Sequence, residues 1–227
     1  MIFDPSKPPL TDSAGLLKSV PVEAGPEIWK RATRVISSGL CDLQVNGFAG
    51  VDYNDPTLMP EEFEKSLFAM LRTGVTTCLP TVITGSEDWQ IQCFHALEAG
   101  RNASKLAQAM IPGYHLEGPF LNPEEGFCGC HPTKWMRPAT LDHFERLQEA
   151  AGGRITLVTV APEIKGVLDL IPKLVEKGIA VAIGHCNPDR DTLLRAADAG
   201  VTLSTHLGNG IAQMLPKKDN PILGQLA

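Results

Sequence analysis

Short runs rich in β-branched and other apolar residues alternate along the chain with longer segments whose apolar positions recur every three or four residues. The runs are GLCDLQV, VTTCLPTVI, MIPGYHLEG, ITLVTVAPE, IAVAIGHC and VTLSTHLGN, which begin at residues 39, 75, 110, 155, 179 and 201. Such runs are typical of strands buried on both faces, and helices between them imply a parallel sheet. The pattern therefore predicts six βα units.

The segments between these runs carry the spacing and the end signals of helices. PEEFEKSLFAMLRTG covers residues 60–74, and NPDRDTLLRAADAG covers residues 187–200. In the second segment Asn187 is expected to cap the helix, Pro188 fits its first turn and Gly200 can end it. We therefore expect a helix after each strand.

Parallel strands joined by right-handed crossovers leave two architectures open, a doubly wound open sheet and a (β/α)₈ barrel of the TIM type. A barrel has eight βα units and typically about 250 residues, whereas six units are visible in these 227 residues. No glycine-rich phosphate-binding fingerprint follows the first run, which weakens the open-sheet alternative. The expected fold is an α/β barrel of which about six of the eight units are present.

Polar side chains occur where the predicted strands end. Gln44 and Asn46 end the first run, Glu117 the third, His185 the fifth and His206 the sixth. In a barrel the carboxyl ends of the strands converge on the face that carries active sites, so this placement favours the barrel. A carboxylate and two imidazoles that meet there are a suitable ligand set for a divalent transition metal.

The remaining histidines are interpreted from their position in the predicted elements. His115 precedes Glu117 by two residues, so both side chains point to the same side of a strand. His115 would lie one layer deeper, where it could support a ligand by a hydrogen bond. His95 and His143 lie on helix-like segments and are interpreted as ordinary structural or surface residues.

Composition and charge narrow the class of partner. The hydrophobic content is 43% and the net charge is −6, without basic clusters, which argues against nucleic acid or an anionic membrane surface as a partner. The first twenty residues show no basic region followed by a long apolar core, and no apolar run approaches the length of a membrane span. We therefore expect a cytoplasmic protein that acts on a small polar molecule.

Four stretches of the chain resemble, in order and spacing, the motifs of N-acetylglucosamine-6-phosphate deacetylases, a family of the amidohydrolase superfamily. They are DLQVNGFAGVDYND, HLEGPFLNPEEGFCGCHP, VTVAPE and GHCNPDRDTLLRAADAGVTLSTHLGNG. The resemblance implies hydrolysis of N-acetylglucosamine 6-phosphate to glucosamine 6-phosphate and acetate. It also implies a division in which residues 39–227 form an incomplete barrel, whereas residues 1–38 match poorly and contribute to a small β domain.

The resemblance implies one divalent metal ion per chain. Glu117, His185 and His206 match the metal ligands of the family. Gln44 and Asn46 stand where many amidohydrolases carry a His-x-His pair for a second metal, and neither amide is a strong ligand. Zinc is the expected ion, and iron, manganese or cobalt are alternatives.

The resemblance also implies a set of substrate contacts. His131 matches a histidine that reaches the substrate and can polarise the amide carbonyl, which makes it the expected catalytic residue of this chain. Asn209 and Gly210 match a pair whose backbone helps to bind the substrate phosphate. The residues expected to bind the amino sugar are Gln44, Asn46, His131, Asn209, Gly210 and Lys218.

Departures from the family pattern leave alternatives open. Lys217 or Lys218 stands nearest to an arginine that grips the 6-phosphate, and lysine cannot hold phosphate bidentately. An unphosphorylated or differently acylated amide is therefore an alternative substrate. The family's general base, an aspartate at the end of the eighth strand, has no counterpart here, so a weakly active or inactive metal- or sugar-binding remnant is a further alternative.

Family members are commonly dimers, which predicts a homodimer for the full-length protein.

Overall fold

The computed structural model describes residues 39–212, so the predictions for residues 1–38 and for Lys217 and Lys218 lie outside the described residues. The strands are β1 (Leu40–Val45), β2 (Gly47–Phe48), β3 (Val51–Asp52), β4 (Val75–Val82), β5 (Tyr114–Glu117), β6 (Ile155–Val160), β7 (Ala180–Ile183) and β8 (Leu203–Ser204). The helices are α1 (Pro60–Leu71), α2 (Glu87–Ala103), α3 (Lys105–Met110), α4 (Leu141–Ala150), α5 (Val167–Glu176) and α6 (Arg190–Ala199). None of these helices combines the length and the apolar character that a membrane span requires.

Six of the strands form one sheet in the order β1-β4-β5-β6-β7-β8. The neighbouring pairs from β4 to β8 are parallel, with Thr81 opposite His115 and Glu117 opposite Thr159. At least one helix separates each consecutive pair of these strands, as the hydrophobic pattern predicts. The α/β class and the six strands are therefore confirmed as a curled, parallel half barrel, and a complete eight-stranded barrel is not confirmed.

A short hairpin follows β1 and was not predicted. Strands β2 and β3 pair antiparallel, with Gly47 opposite Asp52. The two loop residues, Ala49 and Gly50, have φ angles of 53° and 84°. Positive φ at both positions is the signature of a type I′ turn, whose twist matches that of a hairpin. Two-residue strands are too short to show an alternating pattern, which is why the sequence gives no sign of them.

One large apolar core lies between the sheet and its helices. Its fully buried side chains from the helices include Phe63, Leu67, Phe94, Leu97, Phe144, Leu147, Ile171 and Leu174. In β5, Tyr114 and Leu116 belong to this core, and side chains alternate along a strand. His115 and Glu117 therefore point to the opposite face of the sheet, which is the concave face of the half barrel.

The start of α6 differs from its prediction. Asp189 caps this helix, since its carboxylate accepts a hydrogen bond of 2.8 Å from the backbone N–H of Thr192. Asn187 was expected in that role, but its own backbone N–H donates to Glu163 and its position lies before the helix. Gly200 ends α6 with φ at 115°, as predicted.

Candidate metal centre

Glu117, His185 and His206 come from three strands of the sheet. Glu117 is the last residue of β5. His185 lies two positions after the end of β7, and His206 lies two positions after the end of β8. The carboxyl ends of parallel strands in one sheet lie at the same edge, where ligands are usually bound. The three side chains therefore converge at one end of the half barrel.

The donor atoms of these three residues lie within 4.8 Å of one another. Glu117 Oε1 is 2.9 Å from His206 Nε2 and 3.3 Å from His185 Nε2, and the two Nε2 atoms are 3.3 Å apart. A carboxylate oxygen and two imidazole nitrogens are the ligand types of open zinc sites and of sites for related divalent ions. The group could therefore hold one divalent metal ion.

His185 is held at its ring and at its backbone. Its Nδ1–H donates a hydrogen bond of 2.8 Å to the carbonyl of Phe127. The lone pair of Nε2 is therefore free to face the other two candidate ligand atoms, Glu117 Oε1 and His206 Nε2. Its φ of 49° lies in the left-handed region, which is uncommon for residues with a side chain. Gly129 and Gly210 pack against the imidazole so closely that a Cβ on either would lie 2.7 Å from a ring atom.

Glu117 is buried, and its two oxygens have different partners. Oε2 accepts a hydrogen bond of 2.7 Å from the Gln44 side-chain amide, which leaves Oε1 to face the two histidines. Burial raises the pKa of the Glu117 carboxyl, but hydrogen bonds from the imidazoles of His131 and His206 outweigh burial and hold this pKa well below its usual range. The carboxylate is therefore the ionised form that a metal ion requires.

His206 is the most exposed member of the group. Its side chain is 24% exposed, against 6% for His185 and 2% for Glu117. The hydrogen bond to Glu117 raises the pKa of His206 above its usual value. Its φ of 30° makes it a second positive-φ residue in the group, and such conformations concentrate at functional sites. A metal ion would compete with a proton for the lone pair of His206 Nε2.

The structure places His131 beside these three residues. Its Nε2 is 3.6 Å from Glu117 Oε1, and its ring meets that of His185 edge to face with centroids 4.4 Å apart. The backbone N–H of Thr84 donates to His131 Nδ1 at 3.4 Å, and the Thr84 hydroxyl lies 2.9 Å from the same atom. Since Nδ1 accepts, the proton of the neutral ring is on Nε2, which faces the candidate metal centre.

His115 lies one layer deeper, as predicted, within a buried polar layer. Its Nδ1 is 3.1 Å from the carbonyl of Leu43, and its Nε2 is 2.6 Å from the Thr159 hydroxyl. Thr159 in turn contacts the hydroxyl of Thr205 at 2.6 Å. Burial lowers the pKa of His115 to about 4, so the ring is neutral. His115 thus links β1, β6 and the end of β8 below the centre, and these contacts do not involve the three candidate ligands.

The other predicted site residues are placed as follows. Asn46 is exposed at the end of β1, and its backbone carbonyl accepts from the Tyr53 N–H. Asn209 is also exposed, and its backbone N–H donates to the carbonyl of His206 at 2.8 Å. Gln44 uses its amide as a donor to Glu117. The substrate contacts predicted for these residues stay predictions.

Thr84, Phe127 and Gly129 shape the site and were not identified from the sequence. Thr84 follows the end of β4 by two positions, which is the spacing of His185 and His206 from their strands. The strand-end rule that selected the histidines would therefore have selected Thr84 as well. Phe127 acts through its carbonyl and Gly129 through its missing side chain, so neither leaves a chemical signal in the sequence.

Replacing Gly210 by alanine is expected to weaken metal binding by about 10- to 100-fold, the usual effect of losing a contact that orients a ligand. The new Cβ would lie 2.7 Å from His185 Nδ1, so the ring would have to move. Chelator competition measures the change. Gly50→Ala is the matched control, because Gly50 also has positive φ and a Cβ there meets nothing within 4 Å. Equal losses in both variants would contradict the expectation.

Comparison with curated proteins finds relatives with a common activity. No protein-family model matches the chain. N-acetylglucosamine-6-phosphate deacetylase from Bacillus subtilis (strain 168) is 31% identical over 195 residues, which cover 82% of this chain and 46% of the relative. N-acetylgalactosamine-6-phosphate deacetylase from Shewanella sp. (strain ANA-3) is 33% identical over 192 residues, which cover 84% of this chain and 46% of the relative.

Solved structures lead to the same group of proteins. A mutant of N-acetyl-D-glucosamine-6-phosphate deacetylase from Mycobacterium smegmatis, in complex with N-acetyl-D-glucosamine-6-phosphate, matches with a TM-score of 0.71 and 30% identity. The match covers 82% of this chain and 47% of that chain. The chain thus spans about half the length of the curated relatives and solved structures that it matches.

Proposed function

This chain is a relative of the N-acetylglucosamine-6-phosphate deacetylases over about half of their length, as its motifs predict, and on that premise we propose that it carries the metal centre of such an enzyme. The proposed reaction is hydrolysis of the acetamide of an amino sugar phosphate. N-acetylglucosamine 6-phosphate and water would give glucosamine 6-phosphate and acetate.

One observation supports this proposal above all others. Glu117 Oε1, His185 Nε2 and His206 Nε2 converge at one edge of a parallel sheet, with mutual distances between 2.9 and 3.3 Å. The residue types are those that a hydrolytic metal site uses, and the matched relatives are named as deacetylases. Geometry and similarity thus favour the same activity.

The proposed ligands of one divalent ion are Glu117, His185 and His206. When bound, such an ion polarises a carbonyl and lowers the pKa of a coordinated water. Gln44 is better suited to orient Glu117 than to bind a second metal, because its amide nitrogen already donates to Glu117 Oε2 at 2.7 Å. Zinc is the proposed ion, and the donor set also suits iron, manganese and cobalt.

His131 is the proposed donor to the substrate carbonyl. Its Nδ1 accepts hydrogen bonds from Thr84, so its Nε2 carries the proton that can be donated. Nε2 faces the three candidate ligands and lies 3.6 Å from the nearest ligand oxygen. A fixed N–H directed at the carbonyl oxygen stabilises the negative charge that develops there when water attacks.

The proposed sugar site lies at the same strand ends. Asn46 follows β1, and Asn209 and Gly210 follow His206 in the loop after β8, and this position at the carboxyl ends of strands supports the assignment. Lys218, outside the described residues, is the proposed partner of the 6-phosphate. A cytoplasmic location and a homodimer of the full-length protein are likewise proposed on the basis of the sequence.

Acetate release from a panel of sugars tests the proposed function. N-acetylglucosamine 6-phosphate is expected to react faster than N-acetylglucosamine, and N-acetylgalactosamine 6-phosphate belongs in the panel because a matched relative is named for it. A faster reaction of the unphosphorylated sugar would contradict the phosphate contact of Lys218. No acetate from any of the three, with metal bound at one equivalent, would contradict the proposed activity.

A further inference from the structure

The motif VTVAPE ends in a glutamate that none of the roles above requires. Glu163 lies three residues after the end of β6, in a loop at the same edge of the sheet as the candidate metal centre. Its Oε1 accepts two hydrogen bonds, one of 2.9 Å from the Asn122 side-chain amide and one of 2.6 Å from the backbone N–H of Asn187. A single carboxylate oxygen thus joins the loops that follow β5, β6 and β7.

Asn122 completes the connection to His185. It is 4% exposed, and its backbone N–H donates to the carbonyl of His185 at 3.0 Å. Its side-chain oxygen accepts from the backbone N–H of Glu124 at 2.8 Å, which fixes the orientation of the amide so that the nitrogen points to Glu163. Every polar atom of the Asn122 side chain therefore has a defined partner.

The backbone on the carboxyl side of His185 is consequently fixed at two points. The carbonyl of His185 is bound by Asn122, and the N–H of Asn187, two residues later, is bound by Glu163. These contacts hold the carbonyl of His185 and the chain directly after it, and the φ of His185, 49°, is unfavourable for an L-amino acid with a side chain. Such a conformation persists only when its surroundings determine it.

We propose that Glu163 is a positioning residue of the metal centre: with Asn122, it holds the backbone of His185 in the left-handed conformation that directs Nε2 to the metal. The inference rests on the proposed function, since it assumes that His185 is a metal ligand. It concerns the hydrogen-bonding oxygen of Glu163 and requires no contact between Glu163 and the metal or the substrate.

The test measures Zn²⁺ affinity by chelator competition and the visible absorption spectrum of bound Co²⁺, on protein expressed from its complete natural coding sequence. Glu163→Ala removes both hydrogen bonds. Asn122→Asp is isosteric and sets a carboxylate against Glu163 in place of the amide donor. Both variants are expected to lose about 10- to 100-fold in Zn²⁺ affinity and to alter the Co²⁺ spectrum, as when an orienting partner of a ligand is removed.

Two further variants separate positioning from general loop damage. Glu163→Gln keeps a side-chain oxygen that can accept both hydrogen bonds, so it is expected to bind within about threefold of the unmodified protein, a change much smaller than the loss of the contact. Asp189→Ala removes a carboxylate from the loop after β7, which carries His185 and Asn187, together with its 2.8 Å bond to the Thr192 N–H. It removes neither hydrogen bond of Glu163. It is expected to leave both metal readouts unchanged.

Three results would overturn the inference. They are unchanged Zn²⁺ affinity in Asn122→Asp, an equal loss in Asp189→Ala, and a loss in Glu163→Gln as large as in Glu163→Ala. Asn122→Asp keeps the test decisive if Glu163→Ala does not fold. Failure of the unmodified protein to bind Zn²⁺ is a different result, because it would contradict the proposed metal centre itself.

Discussion

Replacing Glu117 by alanine is expected to abolish stoichiometric metal binding. The variant removes the one anionic donor of the group, and the loss should exceed the roughly 10- to 100-fold that follows from losing a residue that only orients a ligand. The metal content, measured by elemental analysis after dialysis, should fall from one equivalent per chain to a value near zero. His206→Ala is expected to have the same effect, since it removes an imidazole donor that lies 2.9 Å from Glu117.

The control for Glu117→Ala is Glu125→Ala, which removes an exposed glutamate from the loop that follows β5. Gln44→Ala provides a graded comparison, because it removes only the 2.7 Å hydrogen bond to Glu117 Oε2 and leaves every proposed ligand in place. Its affinity should lie between those of the unmodified protein and Glu117→Ala. Full metal content in both Glu117→Ala and His206→Ala would contradict the assignment of the site.

The residues that converge in the structure could be selected from the sequence because two simple regularities apply to them. Side chains alternate in a strand, so Tyr114 and Leu116 enter the core while His115 and Glu117 point to the concave face. Parallel strands also place their carboxyl ends at one edge, so ligand types at the ends of β5, β7 and β8 had to be neighbours. The two regularities bring these residues to one edge, whereas the left-handed backbone of His185 and His206, two positions beyond their strands, belongs to the loops.

Loop contacts could not be predicted in the same way. Glu163 and Asn187 are 24 positions apart in the chain, and nothing in either residue type shows that one accepts a hydrogen bond from the other's backbone. The cap of α6 illustrates the same limit. Asn187 and Asp189 are both good capping residues, so residue type alone does not decide between them. In the structure Asp189 caps the helix, and Asn187 lies before it with its backbone N–H bound to Glu163.

Replacing His131 by alanine is expected to lower kcat for acetate release by about 10²- to 10³-fold, the usual effect of removing one donor that stabilises an oxyanion. Metal content should be unchanged, because Nε2 of this residue carries the proton of a ring whose Nδ1 accepts from Thr84, and a protonated nitrogen is not a ligand. The measurement is steady-state kinetics together with elemental analysis of the same preparation.

Two variants of Thr84 test the reason given for that effect. Thr84→Ser keeps the hydroxyl that lies 2.9 Å from His131 Nδ1 and should retain most of kcat, whereas Thr84→Val removes the hydroxyl and should lose part of it with metal still bound. Loss of metal in His131→Ala would also be informative, because the ring of His131 contacts that of His185 edge to face. If metal content fell in His131→Ala as far as in Glu117→Ala, His131 would be a fourth ligand. The tautomer deduced from Thr84 would then be wrong, and the carbonyl would need a donor from elsewhere in the protein.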